Sequence, residues 1–258
     1  MKEKLLSEYL DFMRETAYLA GRITLGYFNT NLKIDYKADE SPVTAADKKT
    51  EEFIRGRIER KYPNHAVIGE EFGEKNFPGS DHRWFIDPID GTKSFICGVP
   101  LYSVLLGLEI DGVIEAGVVY FPALDEMISA ANSLGCWWNG RRSFVSAVDD
   151  LSKATVAFTS PSFIEQYNRS QEWNRLINAT YYQAGWGDAY GYLLVATGRV
   201  EVMLDPVMNV WDCAPFPPIL KEAGGYFGDW NGNKTIYARE GLATSEKLLP
   251  SVLSLTSR

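Results

Sequence analysis

Apolar residues recur every three or four positions near the start of the chain: Leu5, Leu6, Tyr9, Leu10, Phe12, Met13, Ala17, Ala20, Ile23 and Tyr27. This spacing places them on one stripe of a helix, so an amphipathic first helix is predicted to about Phe28, with packing as its role. After a polar linker from Asp35 to Ser41, Pro42 and Thr44 introduce a second helix, with Phe53, Ile54 and Ile58 on its buried face. Thr44 and Asp47 stand three apart, the spacing of a capping box with Asp in place of Glu.

The period then shortens. His65-Ala66-Val67-Ile68 and Arg83-Trp84-Phe85-Ile86 read as short buried strands. Leu101 to Ile110 turns through Asp111-Gly112 into Val113 to Phe121, and Cys136-Trp137-Trp138 turns through Asn139-Gly140 into Arg141 to Val145, both with favoured hairpin dipeptides. The first half is therefore α+β, with an antiparallel sheet. From about Leu151 strands and helices alternate. Strands are predicted at Ala154 to Thr159 and Val200 to Leu204, and helices near Phe163 to Ala179, at Asp188 to Thr197, ending at Ala223-Gly224-Gly225, and near Ser245 to Leu253. This gives an α/β second half, and the division into residues 1–148 and 149–258 falls in the break near Val148 to Ser152. The chain shows no internal repeat.

Composition narrows the function. The 258 residues, 45% of them hydrophobic, suffice for a substantial core, and no apolar run approaches the roughly 20 residues that span a bilayer. The start lacks a basic-then-apolar signal segment, so a cytoplasmic location is expected. Cys97, Cys136 and Cys213 have no metal-type spacing and are read as core thiols. With only His65 and His82, both expected at the surface, a histidine-built zinc centre is disfavoured. The net charge of −8 and the lack of a basic cluster argue against nucleic acid.

Excess acid has another use. Ile86-Asp87-Pro88-Ile89-Asp90-Gly91-Thr92 packs two carboxylates, a turn and a hydroxyl into seven residues at a strand end. Mg²⁺ takes oxygen ligands at about 2.0–2.1 Å and uses few carboxylates, leaving positions for water and phosphate. By itself the run also reads as an ordinary Asp/Pro turn. Gly69-Glu70-Glu71 and Trp211-Asp212 add carboxylate at two further element ends, and Pro215, Pro217 and Pro218 predict an irregular or delayed helix after Asp212.

Together, Gly69-Glu70-Glu71, Asp87-Pro88-Ile89-Asp90-Gly91-Thr92 and Trp211-Asp212-Cys213-Ala214, with Ser41 to Asp47 upstream, resemble the motifs of the inositol monophosphatase family. The resemblance implies a layered αβαβα sandwich of the sugar-phosphatase type, with the site between its halves, and Mg²⁺-dependent, lithium-sensitive hydrolysis of phosphate monoesters by a homodimer. It implies one Mg²⁺ on Glu70, Asp87 and the Ile89 carbonyl, a second on Asp87, Asp90 and Asp212, and a third, weaker site served by Glu70 through water. It further implies that Thr92 and Asp47 orient the attacking water near the first ion, although Asp47 has a competing explanation as a helix cap. Gly91 and Thr92 are expected to meet the phosphate beside Asp90. Glu71 and Lys37 are read as neighbours of the site or as solvated charges.

Substrate identity is expected in the second half. Trp186 to Gly198 and Met203-Leu204-Asp205-Pro206 are similar to the histidinol-phosphate phosphatase branch, and Thr159-Ser160-Pro161 points the same way. Gly187, Asp188 and Asp205 are the substrate-side candidates, with Asp205 placed to meet an ammonium, while Tyr190, Tyr192, Leu193 and Leu194 read mainly as a packing face. Histidinol phosphate is ranked ahead of inositol phosphates, with nucleotide or sugar bisphosphates third. A catalytically silent binding homologue is the reading from another class, disfavoured because none of Glu70, Asp87, Asp90 and Asp212 is missing.

Overall fold

The computed structural model describes residues 2–31, 33–36 and 42–258. Lys37 and Ser41 lie outside them. Helix α1 (Lys2–Leu25) packs beside α2 (Ala45–Lys61), and the two-residue strands β1 (Asp35–Tyr36) and β2 (Pro42–Val43) pair between them. The first helix stops at Leu25, three residues short of the periodic pattern, and its last turn tightens as the amides of Tyr27 and Phe28 both reach back to Thr24 O.

An eight-stranded sheet follows, built from β3 (Ala66–Gly69), β4 (Gly73–Lys75), β5 (His82–Asp90), β6 (Ser103–Ile110), β7 (Val113–Phe121), β8 (Glu126–Ala131), β9 (Gly135–Trp138) and β10 (Arg141–Arg142). Their order is β10-β9-β8-β7-β6-β5-β3-β4, and the short helix α3 (Thr92–Ile96) leaves β5. The sheet is not wholly antiparallel: β3 runs parallel to β5, with Gly69 opposite Ile86. That exception matters, because two parallel neighbours deliver their C-terminal ends to the same edge.

The second sheet has the order β12-β11-β13-β15-β14, from β11 (Thr155–Phe158), β12 (Tyr182–Ala184), β13 (Val202–Asp205), β14 (Gly225–Gly228) and β15 (Gly241–Ser245). The predicted helix over 163–179 is two helices, α4 (Pro161–Gln166) and α5 (Ser170–Ala179), interrupted where Asn168 takes a left-handed φ of 57°. Helices α6 (Ala189–Ala196), α7 (Val210–Cys213) and α8 (Phe216–Glu222) lie between the sheets, and α9 (Leu249–Thr256) closes the chain. The terminal helix starts later than its apolar pattern suggests because Ser245 ends a strand whose neighbours are buried on both faces.

Alternation along the strands sorts the core into three slabs and gives five layers. Trp84, Ile86, Val104 and Leu106 face α1 and α2, whereas Phe85, Leu105 and Val119 face α6 and α8. In the second sheet Met203, Phe227 and Ala243 face those same helices, and Val202, Leu204, Tyr226 and Leu242 face α5 and α9. A one-residue period-2 step therefore decides which slab a side chain joins, and each large one fully buried contributes about 1.5–3 kcal/mol. The central slab draws on both sides of residue 148, so the halves share a core. The architecture is the αβαβα sandwich expected from the sequence.

The histidines, expected at the surface, are half-buried in an aromatic cluster. His65 and His82 stack at 4.2 Å between ring centroids, His65 stacks on Tyr62, and buried Trp84 donates from Nε1 to His65 Nδ1 at 3.0 Å. Cys136 and Cys213 are buried thiols, but Cys97 is exposed.

Candidate active site

The site begins with a flaw in β5. Asp87 pairs with Leu105 and Asp90 with Ser103, so three steps on β5 match two on β6. In a regular strand residues three apart face opposite ways, and this bulge, at a proline that cannot donate to the ladder, restores Asp87 and Asp90 to one side. Ile89 N donates to Asp87 Oδ1 at 3.0 Å, which holds the kink.

The parallel partner supplies Glu70, whose amide donates to Ile86 O at 3.2 Å and so places it beside Asp87. Glu51 secures this turn. It is fully buried on α2, pairs with Arg55 at 2.7 Å, and accepts from the amides of Glu71 (2.7 Å) and Phe72 (3.2 Å). Sequence reasoning passed over Glu51, although its i, i+4 spacing to Arg55 on the apolar face of α2 was visible.

Asp212 arrives from the second half. It is the third residue of α7 and caps that helix by accepting from Asn209 N at 2.7 Å. The helix then breaks at Ala214-Pro215 and restarts as α8 with Pro217 and Pro218 in its first turn, where missing amides cost nothing. Two paired glycines on the sheet permit the close approach: a Cβ on Gly107 would stand 2.6 Å from Ala214 Cβ, and one on Gly117 would stand 2.0 Å from Pro215 O. The result is that a carboxylate oxygen from each of Asp87, Asp90 and Asp212 lies within 4.8 Å of the other two.

Their charges oppose one another. Burial, then repulsion from Glu70, Asp90 and Asp212, holds the Asp87 carboxyl well above its ordinary range, and Asp90 is raised by burial and by Asp188 and Asp212. Asp212 is pushed up to about 7, mainly by burial, with Glu70 and Asp188 adding to it against the Asn209 hydrogen bond. A half-buried, mutually repelling set of hard oxygen donors fits a divalent cation, whose charge would offset the cost of gathering them.

Asp47 forms the capping box in full, its Oδ2 accepting from Thr44 N (2.8 Å) and Thr44 Oγ1 (2.7 Å). Burial raises its carboxyl against the Thr44 hydrogen bonds, and the charge of Glu70 adds a little. The Thr92 hydroxyl donates to Ile89 O at 3.1 Å, so the Thr92–Asp47 pair implied by the resemblance is not the hydrogen bond formed here. The reason is local: Gly91, at φ 75°, turns the chain so that α3 begins over the Ile89 carbonyl.

Asp188 and Asp205 line one small cleft, about 80 Å³, together with Asp90, Asp212, Thr159 and Phe163. Gly187 packs against the Thr159 backbone, and Asp188 N donates to Thr159 Oγ1 at 3.0 Å. Asp188 holds an unusual backbone conformation for a residue with a side chain, φ 54° and ψ −154°, and its Oδ2 faces Gly91. Burial raises the Asp188 carboxyl against Lys93 and Ser94, and raises Asp205 well above its range against the Thr159 hydroxyl. Asp90, Asp188, Asp205 and Asp212 line this cleft with Asp87 beside them, and α6 also donates Ala189 N to Asp90 Oδ2 at 2.8 Å.

Five layers thus enclose an acidic cluster that offers the hard oxygen donors a divalent cation takes. The profile of the inositol monophosphatase family matches residues 5–257, and the chain belongs to that family of phosphatases. It is 42% identical to the histidinol-phosphatase of Chlorobaculum parvum over 93% of each chain, and 35% identical to that of Mycobacterium tuberculosis over 87% of this chain and 88% of the relative. Among solved structures, the extragenic suppressor protein suhB of Bartonella henselae superimposes with a TM-score of 0.91 at 27% identity, over 97% of this chain and 99% of that one. An inositol monophosphatase from Anabaena gives 0.85 at 30% identity, over 97% and 95%.

Proposed function

We propose that the chain hydrolyses histidinol phosphate to histidinol and phosphate with Mg²⁺. The observation that carries this reading is the cleft in which Asp188 and Asp205 adjoin the Asp87, Asp90 and Asp212 cluster: one end suits a cation-held phosphate, the other an ammonium. The names of the histidinol-phosphatase relatives support the same substrate. Mg²⁺, when bound, would neutralise ester and carboxylates and lower the pKa of an attacking water.

In this reading Glu70, Asp87 and the Ile89 carbonyl would hold one ion and Asp87, Asp90 and Asp212 a second, with Glu70 also serving a weaker third. Asp47, on which the Glu70 charge acts, would accept a proton from the attacking water, and the Thr92 hydroxyl would help to orient that water. Backbone N–H groups of Gly91 and Thr92 meet the phosphate. Asp205 faces the substrate's ammonium, and Gly187 leaves Asp188 its place beside it. The family's habit supports a homodimer, and an acidic chain whose described helices are all too short or too polar to cross a membrane is compatible with the cytoplasm.

Phosphate release from histidinol phosphate and from inositol 1-phosphate, compared as kcat/KM with Mg²⁺, tests the proposal. A preference for inositol 1-phosphate overturns the substrate, and no release from either ester overturns the activity.

A further inference from the structure

Phe163, on α4, shares the cleft with Asp188 and Asp205, and one face of its ring already holds a cation: Lys93 Nζ stands 4.7 Å from the ring centroid. Lys93 comes from α3, just beyond the metal-binding loop, and its ammonium also acts on the Asp188 carboxylate. Ring, carboxylate and ammonium therefore come from three separate elements and meet at the mouth of the cleft. Lys93 is exposed, so its ammonium gives up little hydration to sit there and loses little by leaving.

We propose that Phe163 and Asp188 form a cradle for the organic cation of the substrate, that Lys93 fills this cradle in the free protein, and that substrate entry displaces it. The inference rests on the histidinol phosphate reading and deepens it by assigning the discrimination to a residue outside the acidic set. An aromatic face attracts a cation and stacks on a flat ring, whereas it offers nothing comparable to a ring of hydroxyls. Asp188 supplies the counter-charge, and its unusual backbone conformation fixes that carboxylate on the cleft wall it shares with Phe163.

Two variants separate the parts. Phe163→Leu keeps bulk and removes the π face, and the ratio of kcat/KM for histidinol phosphate to that for inositol 1-phosphate is expected to fall about tenfold. Lys93→Met removes the competitor, so KM for histidinol phosphate is expected to fall while KM for inositol 1-phosphate does not. Equal losses on both esters in Phe163→Leu would make the ring structural, and a rise of both KM values in Lys93→Met would make Lys93 a phosphate anchor; either result overturns the cradle. Calorimetric binding of L-histidinol alone, which involves no hydrolysis, distinguishes this failure from failure of the proposed activity. Weaker binding by Phe163→Leu and tighter binding by Lys93→Met uphold the cradle even in a protein that splits neither ester, and unchanged binding in both sinks it.

Discussion

The amide of Ala189 donates to Oδ2 of Asp90 at 2.8 Å across a sequence separation of 99 residues. This bond ties the first turn of α6, in the second half, to the kinked end of β5, in the first. The carboxylate satisfies an amide that the helix cannot, while its own burial beside Asp188 and Asp212 makes it a poor tenant without a cation. A cation held by Asp90, as proposed, would therefore couple metal binding to the joining of the halves at one side chain.

Metal removal should reverse the pH dependence of part of the stability. The raised carboxyls of Asp87, Asp90 and Asp212 mean that the metal-free folded chain keeps protons the unfolded chain has released. Their contribution is complete below the ordinary value of 3.8; that of Asp212 is lost as pH rises through about 7, and those of Asp87 and Asp90 as pH rises through their own raised values. Urea midpoints at pH 5 and pH 7.5, with chelator and with excess Mg²⁺, check this: the gap between loaded and stripped protein should widen at the higher pH. A constant gap would count against the cluster.

His65 acts in the opposite sense. Burial, then the adjacent His82, pushes it down to about 4 from 6.5, so the folded chain holds it neutral. That contribution is present above pH 6.5 and lost as pH falls toward 4. Because its Nδ1 must accept from Trp84, His65→Gln should show less loss of stability than the parent between pH 7.5 and pH 5, measured by urea denaturation in excess Mg²⁺.

Glu51 should matter more than its distance from the metal cluster suggests. Glu51→Ala strands Arg55 and two amides, a change expected to cost about 3–5 kcal/mol of stability by urea titration. Glu51→Gln keeps the shape, and its expected effect is a roughly 10–100-fold loss of Mg²⁺ affinity by calorimetry, since Glu70 stands on the turn it holds.

Gly117→Ala tests the close approach of the α7–α8 break to the sheet. The nearest atoms are backbone of Pro215, three residues after Asp212 in the sequence. A stability loss of about 1–3 kcal/mol is expected, together with weaker Mg²⁺ binding at temperatures where the variant remains folded. Unchanged affinity would show that the break can relax independently.

Asp205→Asn should lower kcat/KM for histidinol phosphate by roughly tenfold or more while inositol 1-phosphate suffers less, because a charge-assisted hydrogen bond to an ammonium is lost. Equal losses would assign Asp205 to structure, as the support of Thr159 and the end of β13.

Sequence alone determined the elements whose signals are local: the apolar stripes of α1 and α2, the Asp-Gly and Asn-Gly hairpins, the Thr44–Asp47 cap, and the carboxylates gathered in short motifs at element ends. Periodicity is written into neighbouring residues, so it survives without knowledge of the fold. Only the tertiary structure decided that β3 runs parallel to β5, that a one-residue bulge turns Asp87 and Asp90 to the same side, that Glu51 underpins Glu70, and that the chain's two histidines stack on each other. Each of those depends on contacts between distant segments, where hydrogen bonding and close packing choose among arrangements that local propensity leaves equal in energy.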